Sequence, residues 1–328
     1  MFAHREVTLR VVPPGFSKVQ AQLMASILIE PKAIASIPNA EDKIPVSMWL
    51  RDNLWQVVVP GALIVFLYRH AFVKLVDDWI NDPNYTHGFI VPLASIWIIW
   101  SMRGTLAKTL VEPKSWGLLV IAFGVLQLLA GTLGAENFVA HSSLLVVLAG
   151  LTISIFGTTM MRHLLFPIAW LIFMIPLPAI IFYSITFPLQ LLASRMASGL
   201  LDVLRITNLR EGNVMYFPHY TIGVVEACSG IRSLITLLAF AVLLGHMRSM
   251  RPWTRIVLAA CTVPVALLFN AIRVASAGVL GNYFGERWAE GIFHTASGIA
   301  LFLGGLSMIA LISTMLIRWS PPSKAVAV

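Results

Sequence analysis

Charged side chains are scarce in this chain: Asp, Glu, Lys and Arg make up 12% of its 328 residues, whereas hydrophobic residues make up 58%. Soluble domains average about 25% charged residues, so this scarcity excludes an ordinary soluble fold and predicts a polytopic membrane protein. The net charge is +8, but the basic residues are scattered between apolar runs. That distribution argues against nucleic acid as a partner and fits loops that face anionic lipid headgroups.

Cysteine is scarce as well, with only two residues, Cys228 and Cys261. At most one disulfide is available, and the topology below places the two thiols near opposite faces, so we expect both to be free. No metal site and no cofactor are expected. The first residues lack the short apolar core and small-residue cleavage site of a signal peptide, so residues 1–50 are interpreted as a cytoplasmic, partly disordered tail.

Apolar runs that approach the length of a spanning helix, roughly 20 residues, recur from Leu54 onward. We count eight, at about 54–72, 87–102, 116–134, 137–157, 163–183, 229–247, 254–280 and 290–317. The prediction is therefore an all-α polytopic protein with eight transmembrane helices over residues 51–320 and a short tail at 321–328. The fifth run should kink or end at Pro176 and Pro178. The connection after it should hold an interfacial helix (187–206) and, before the sixth helix, a short surface hairpin.

The distribution of charge orients these helices. With the N-terminus inside, Lys and Arg dominate the inner loops, where Glu112 is the only acidic residue, whereas acidic residues outnumber basic ones in the outer connections. The positive-inside rule then predicts that both termini are cytoplasmic and that the hairpin before the sixth helix is periplasmic.

Three chemically active residues fall at similar depth in this topology. Cys228 lies at the outer start of the sixth helix, Arg273 within the outer half of the seventh, and His294 one turn inside the outer start of the eighth. A thiolate is a good nucleophile, and an imidazole can take its proton and return it to a leaving amine. A guanidinium in a water-poor site can stabilise an oxyanion, and an intramembrane Arg is by default functional.

Structural interpretations of the same residues stay open. Cys228 is equally explained as a small buried apolar residue, and for Cys261, in mid-helix, that explanation is favoured. His294 alone could serve only to hydrogen-bond a neighbouring helix. Arg273 could instead snorkel outward or pair with Glu226.

Several neighbours are candidate supporting or substrate-binding residues. Asn270 shares a helix face with Arg273 and can orient it. Arg232, one turn below Cys228, could lower the thiol pKa or bind a lipid phosphate. The 82–88 loop is either a capping turn or a roof over the site, and in the second case His87 and Tyr85 would contact substrate.

The stretches Glu-Ala-Cys-Ser-Gly-Ile-Arg-Ser-Leu (226–234), Asn-Ala-Ile-Arg (270–273) and His-Thr-Ala-Ser-Gly (294–298) resemble the exosortase/archaeosortase family. Asp-Pro-Asn-Tyr-Thr-His-Gly-Phe-Ile-Val-Pro (82–92) and Phe-Met-Ile-Pro-Leu-Pro (173–178) are similar to exosortase segments too. The resemblance spans about 54–317 in the expected order. It implies an intramembrane cysteine transpeptidase or protease with Cys228 as nucleophile, Arg273 as oxyanion-stabilising or orienting residue and His294 as general base.

The resemblance also implies a biological setting. The partners would be exported membrane-anchored proteins that carry a C-terminal sorting signal, a Pro-Glu-Pro-type motif followed by a transmembrane helix and a basic cluster. The enzyme would lie in the bacterial inner membrane, with its active site toward the periplasm and with surrounding lipid as a further partner. Its role would be linked to exopolysaccharide or biofilm production, with a separate accessory protein of that system as a candidate partner. Two other classes stay open: a membrane acyltransferase and a non-enzymatic component of polysaccharide export.

Overall fold

The structure, a computed structural model, describes residues 44–218, 220–224, 230–285 and 292–321, and of residues 292–295 only the backbone. The first helices are α1 (Val46–Asn53), α2 (Trp55–Leu67), α3 (Arg69–Asn81), α4 (Ile90–Ser101), α5 (Arg103–Lys108) and α6 (Gly117–Leu133). They are followed by α7 (Asn137–Phe156), α8 (Thr158–Trp170), α9 (Ala179–Val203), α10 (Ile231–Met247), α11 (Pro252–Phe284) and α12 (Ile292–Trp319). Two 3₁₀ segments, Pro83–Phe89 and Leu171–Met174, precede α4 and follow α8.

The membrane-spanning character of the helices is evident from their length and composition. Within the described residues, four helical segments are long and apolar enough to cross a membrane, in α7, α9, α11 and α12, or five if α1 and α2, which meet at 74°, form one broken span. The apolar helices α6, α8 (with its 3₁₀ extension) and α10 are shorter. The chain is thus a mostly helical, multi-pass membrane protein, and the count of eight spans and their orientation stay predictions.

Three expectations for the elements need correction. The proposed interfacial helix (187–206) is α9, which begins eight residues earlier, at Ala179, and ends at Val203. Its 25 residues meet the length and hydropathy of a membrane span, and its placement at the interface stays a prediction. The run at 87–102 begins as a 3₁₀ segment, and its α-helix starts only at Ile90. The fold is also not purely α, since the predicted hairpin is part of a three-stranded sheet.

That sheet lies between α9 and α10. It is antiparallel, in the order β1 (Leu209–Glu211), β2 (Val214–Tyr216) and β3 (Thr221–Gly223). Met215 and Val224 are fully buried in a cluster with Leu201 of α9 and Val274 of α11. Val224 is also hydrogen-bonded through its backbone N–H to the carbonyl of Asn213, at 2.8 Å. The sheet therefore anchors the chain immediately before the 225–229 stretch.

The described helical part of the chain begins a few residues before the predicted domain boundary near residue 50. α1 begins at Val46, within the stretch assigned to the tail, and Val46 is buried with Val111 and Met160. Residues 1–43, to which the expectation of a disordered tail applies, lie outside the described part of the chain.

The break after α8 is stabilised by side chains from the end of α3 and from the 83–89 segment. As predicted, the chain leaves the helix before Pro176 and Pro178. Trp79 Nε1 donates to the carbonyl of Met174 at 2.9 Å, and the Tyr85 hydroxyl accepts from the N–H of Leu177 at 3.1 Å. Backbone groups that leave a helix at membrane depth need such partners, so the two motif segments form one structural unit.

Candidate active site

α10 begins at Ile231, three residues after the predicted nucleophile Cys228. Its N-terminal flanking residue, Gly230, has φ 78° and ψ 0°, a left-handed conformation that glycine adopts without a Cβ penalty. A Cβ built on Gly230 would lie 3.1 Å from Cβ and Cγ of Asn270 in α11. Gly230, which is two residues after Cys228 and precedes the first residue of α10, is therefore packed directly against Asn270.

A second close contact joins α11 to α12. A Cβ built on Gly298 would lie 3.4 Å from Cζ, Nε and Nη2 of Arg273. Gly298 follows His294 by four residues, which is about one helical turn. The described neighbours of Cys228 and of His294 thus contact Asn270 and Arg273, which share one face of α11.

These elements enclose a cavity of about 600 Å³, here called the arginine cavity. Its walls come from the 83–89 segment, α4, α10, α11 and α12, and include Thr86, His87, Arg232, Thr236, Arg273 and Phe302. Two of the eleven lining residues are arginines and none is acidic. Ligand sites commonly combine apolar walls with a few convergent polar groups, and this cavity has that character.

His87 occupies a defined tautomer in this wall. Its Nε2 lies 3.1 Å from the carbonyl oxygen of Phe173, and because a carbonyl can only accept, Nε2 carries the proton. Nδ1 is buried and accepts no hydrogen bond from the described residues.

The predicted site residues are distributed as follows. Arg232, Arg273 and His87 line the arginine cavity, and Asn270 is buried behind it, with 5% of its surface exposed. Cys228 and Glu226 lie outside the described residues, as does the side chain of His294, whose backbone is in the first turn of α12. The helix α11 extends to Phe284, four residues beyond the predicted run.

Tyr85 is placed away from the arginine cavity. It is 5% exposed and packs in the main hydrophobic cluster, with its ring 6.4 Å from that of Phe182. Asp82 Oδ1 accepts from the backbone N–H of Asn84 at 2.8 Å, which is the predicted capping turn. The 82–88 loop therefore forms a capping turn and also contributes His87 to the wall of the arginine cavity. Contact of the loop with substrate stays a prediction.

Sequence reasoning missed several cavity residues. Ser233 and Thr236 follow Arg232 on α10, and Phe302 follows Gly298 on α12. The spacing of four residues between Arg232 and Thr236 puts both on one helix face, which could have identified Thr236. Cys261 is a half-buried free thiol in the middle of α11, as predicted.

The fold and cavity define a class: a multi-pass helical membrane protein with an arginine-lined pocket formed where four helices and a 3₁₀ segment meet. The particular family follows from the sequence match. The family described as Transmembrane exosortase matches residues 79–311, which include every residue that lines the arginine cavity, and the chain belongs to this family. No curated protein and no solved structure matches the chain.

Proposed function

We propose that this protein is an intramembrane cysteine transpeptidase or protease that cleaves a C-terminal sorting signal of exported proteins. The observation that carries the proposal is the arginine cavity, which joins Arg273, Arg232 and the α10 start next to Cys228. Membership of the transmembrane exosortase family favours a sorting transpeptidase over a transporter or a component of polysaccharide export.

In the proposed first step, the Cys228 thiolate attacks the scissile carbonyl carbon while His294 holds the thiol proton. The N-terminus of α10 favours the thiolate because helix N-termini carry partial positive charge. The oxyanion that forms is stabilised by the Arg273 guanidinium, which lies beside Gly298 of α12. The intermediate then collapses: the C–N bond breaks, His294 returns the proton to the leaving amine, and an acyl-thioester remains on Cys228.

In the second step an acceptor nucleophile, an amine or water, attacks the thioester and loses a proton to His294. The C–S bond then breaks, and Cys228 leaves as the thiolate, which restores the starting state of the enzyme. We propose that the substrate signal combines a Pro-Glu-Pro-type motif with a transmembrane helix and a basic cluster. The motif's carboxylate would enter the arginine cavity, which is lined by Arg232 and Arg273.

The setting we propose is the bacterial inner membrane, with the site toward the periplasm and a link to exopolysaccharide production. The charge distribution of the loops supports this orientation. Cleavage would then follow export of the substrate's soluble part, because the scissile bond must reach the outer side of the bilayer.

The experiment is a processing assay with a tagged reporter that ends in a Pro-Glu-Pro motif, a transmembrane helix and a basic cluster. Cys228→Ala and Cys228→Ser should abolish processing at normal protein levels, because an unactivated hydroxyl does not replace a thiolate. Arg273→Lys should lower the rate by about 100- to 1000-fold, since an ammonium lacks the planar donor fork. Cys261→Ala is the matched control and should process at the wild-type rate. Processing by Cys228→Ala would refute the cysteine mechanism.

A further inference from the structure

A second cavity, of about 350 Å³, lies on the other side of the 83–89 segment; we call it the carboxylate cavity. Asn84 and Tyr85 line it, whereas the next two residues, Thr86 and His87, line the arginine cavity. The two cavities share no lining residue. The proposed peptidase chemistry uses only the arginine cavity and gives the carboxylate cavity no role.

The carboxylate cavity is rich in negative charge. Asp78, Asp82 and Glu136 line it together with one basic residue, Lys74. Lys74 is already engaged, at 2.8 Å from Asp78 and 3.2 Å from Asp77. Among the residues that the structure describes, neither Asp82 nor Glu136 forms an ion pair, so the cavity retains an excess of two carboxylates over its cation.

Two oxygens at this cavity are buried without a hydrogen-bond donor. The Asn84 side chain is 9% exposed, and its Oδ1 accepts no hydrogen bond from any described residue. Oε2 of Glu136 is also buried and accepts no hydrogen bond from any described residue. Buried acceptors are almost always satisfied in folded proteins, and each exception requires an explanation. A ligand that brings N–H donors would supply the missing partners.

The composition of the walls favours an organic cation over a metal ion. Within the described residues, no three His, Cys, Asp or Glu side chains converge closely enough to hold a metal. The carboxylates are instead interspersed with the rings of Phe138, Phe182 and Tyr183. Aromatic faces attract ammonium groups through their quadrupole, so carboxylates and rings together suit a substituted ammonium ion.

We propose that the carboxylate cavity is a binding site for an organic ammonium group. Asp82 and Glu136 would provide the countercharge, Asn84 Oδ1 would accept a hydrogen bond, and Phe138 and Tyr183 would provide aromatic walls. The ammonium group is carried either by a free amine or by the headgroup of phosphatidylethanolamine. This site is independent of Cys228 and does not depend on the proposed peptidase activity.

The test measures binding to the full-length protein in detergent with two probes. In the first arm, the thermal unfolding midpoint is recorded with ethanolamine hydrochloride and with sodium chloride at the same ionic strength. In the second arm, native mass spectrometry compares retention of dioleoylphosphatidylethanolamine with that of dioleoylphosphatidylglycerol. A higher unfolding midpoint with ethanolamine than with sodium chloride shows that a free amine is sufficient for binding. Selective retention of the ethanolamine lipid without that rise identifies the lipid headgroup as the source of the ammonium group.

Glu136→Gln keeps the side-chain shape and removes the charge, and it should weaken binding in the responding arm by about tenfold or more. Phe138→Leu leaves every charge in place and should also weaken binding, which gives an independent variant if one of them folds poorly. The matched control is Asp77→Asn, because Asp77 also contacts Lys74 but does not line the cavity; it should bind as wild type. No response in either arm, or a response unchanged in both Glu136→Gln and Phe138→Leu, would overturn the proposal.

Discussion

At the scale of single residues, the candidate site has glycines at two helix contacts. A Cβ on Gly230 would lie 3.1 Å from Asn270, tighter than usual packing, whereas a Cβ on Gly298 would lie 3.4 Å from Arg273, an ordinary van der Waals distance. Both glycines belong to sequence motifs that contain a predicted catalytic residue. Of the two, Gly230 is the position where both the close approach and the positive φ favour glycine.

Gly230→Ala should be destabilising and should lower processing of the reporter. The alanine would have to adopt φ 78° and fit its methyl 3.1 Å from Asn270, a combination that costs about 1–2 kcal/mol for the backbone alone. Thermal unfolding in detergent and the processing assay measure the two effects. Gly199→Ala is the control, because a Cβ at Gly199 meets nothing within 4 Å and helix propensity favours alanine there. Equal behaviour of the two variants would show that the α10 start is not tightly constrained.

The sequence alone predicts part of this site. Depth in the membrane, estimated from loop charge, brings Arg273 near the starts of α10 and α12, and the contacts of Gly230 and Gly298 agree with that placement. It could not predict that Arg232 and His87 line one cavity, because helix rotation and the path of a 3₁₀ segment depend on tertiary packing. For the same reason the sequence could not predict that Tyr85 lines the carboxylate cavity, whereas Thr86, the next residue, lines the arginine cavity.

At the scale of elements, the 83–89 segment is the structural link between the two cavities. Trp79 and Tyr85 hydrogen-bond the backbone at Met174 and Leu177, and His87 bonds that of Phe173. These bonds fix the broken helix after α8 and hold His87 in place. Prolines at 176 and 178 predict that break from sequence, whereas the side chains that stabilise it come from about 90 residues earlier and have no local signal.

Tyr85→Phe should destabilise the protein by about 1–3 kcal/mol, because it leaves the buried N–H of Leu177 without its acceptor. The ring and its packing stay unchanged, so the loss isolates the hydroxyl. Tyr183→Phe is the matched control, since Tyr183 is 56% exposed and its hydroxyl can hydrogen-bond outside the protein core. Unfolding midpoints in detergent compare the two. A loss of similar size in both variants would contradict the role assigned to the Tyr85–Leu177 bond.

At the scale of the whole molecule, composition predicts a multi-pass membrane protein correctly, but the extent of one element is wrong. The interfacial helix was expected to begin at residue 187, yet α9 is continuous from Ala179 to Val203. Ser194 and Ala197 are fully buried in its packed face. Small residues on that face allow tight helix packing, a feature that a hydropathy window does not register.

The proposed orientation makes a prediction about access. In a Cys261→Ala background, Cys228 should react with a membrane-impermeant maleimide added to intact spheroplasts. The physical reason is the excess of Lys and Arg in the loops assigned to the cytoplasm. Reaction only after the inner face is opened would invert the topology. A Cys228→Ala, Cys261→Ala protein provides the unlabelled control.

The central claim is that Cys228 forms a thioester with the cleaved substrate, and mass spectrometry of the digested enzyme tests it most directly. His294→Ala enzyme should be incubated with the reporter, quenched in acid and digested, so that any acyl group on Cys228 is retained. Without the general base the acceptor is no longer deprotonated, whereas the N-terminus of α10 still favours the Cys228 thiolate that forms the adduct. Breakdown of the thioester is therefore slowed more than its formation, and the adduct should persist where wild type turns over. The account predicts the N-terminal reporter fragment on Cys228, released by hydroxylamine. Processing that proceeds with the fragment on Cys261, or with a lipid-derived acyl group on Cys228, would contradict it.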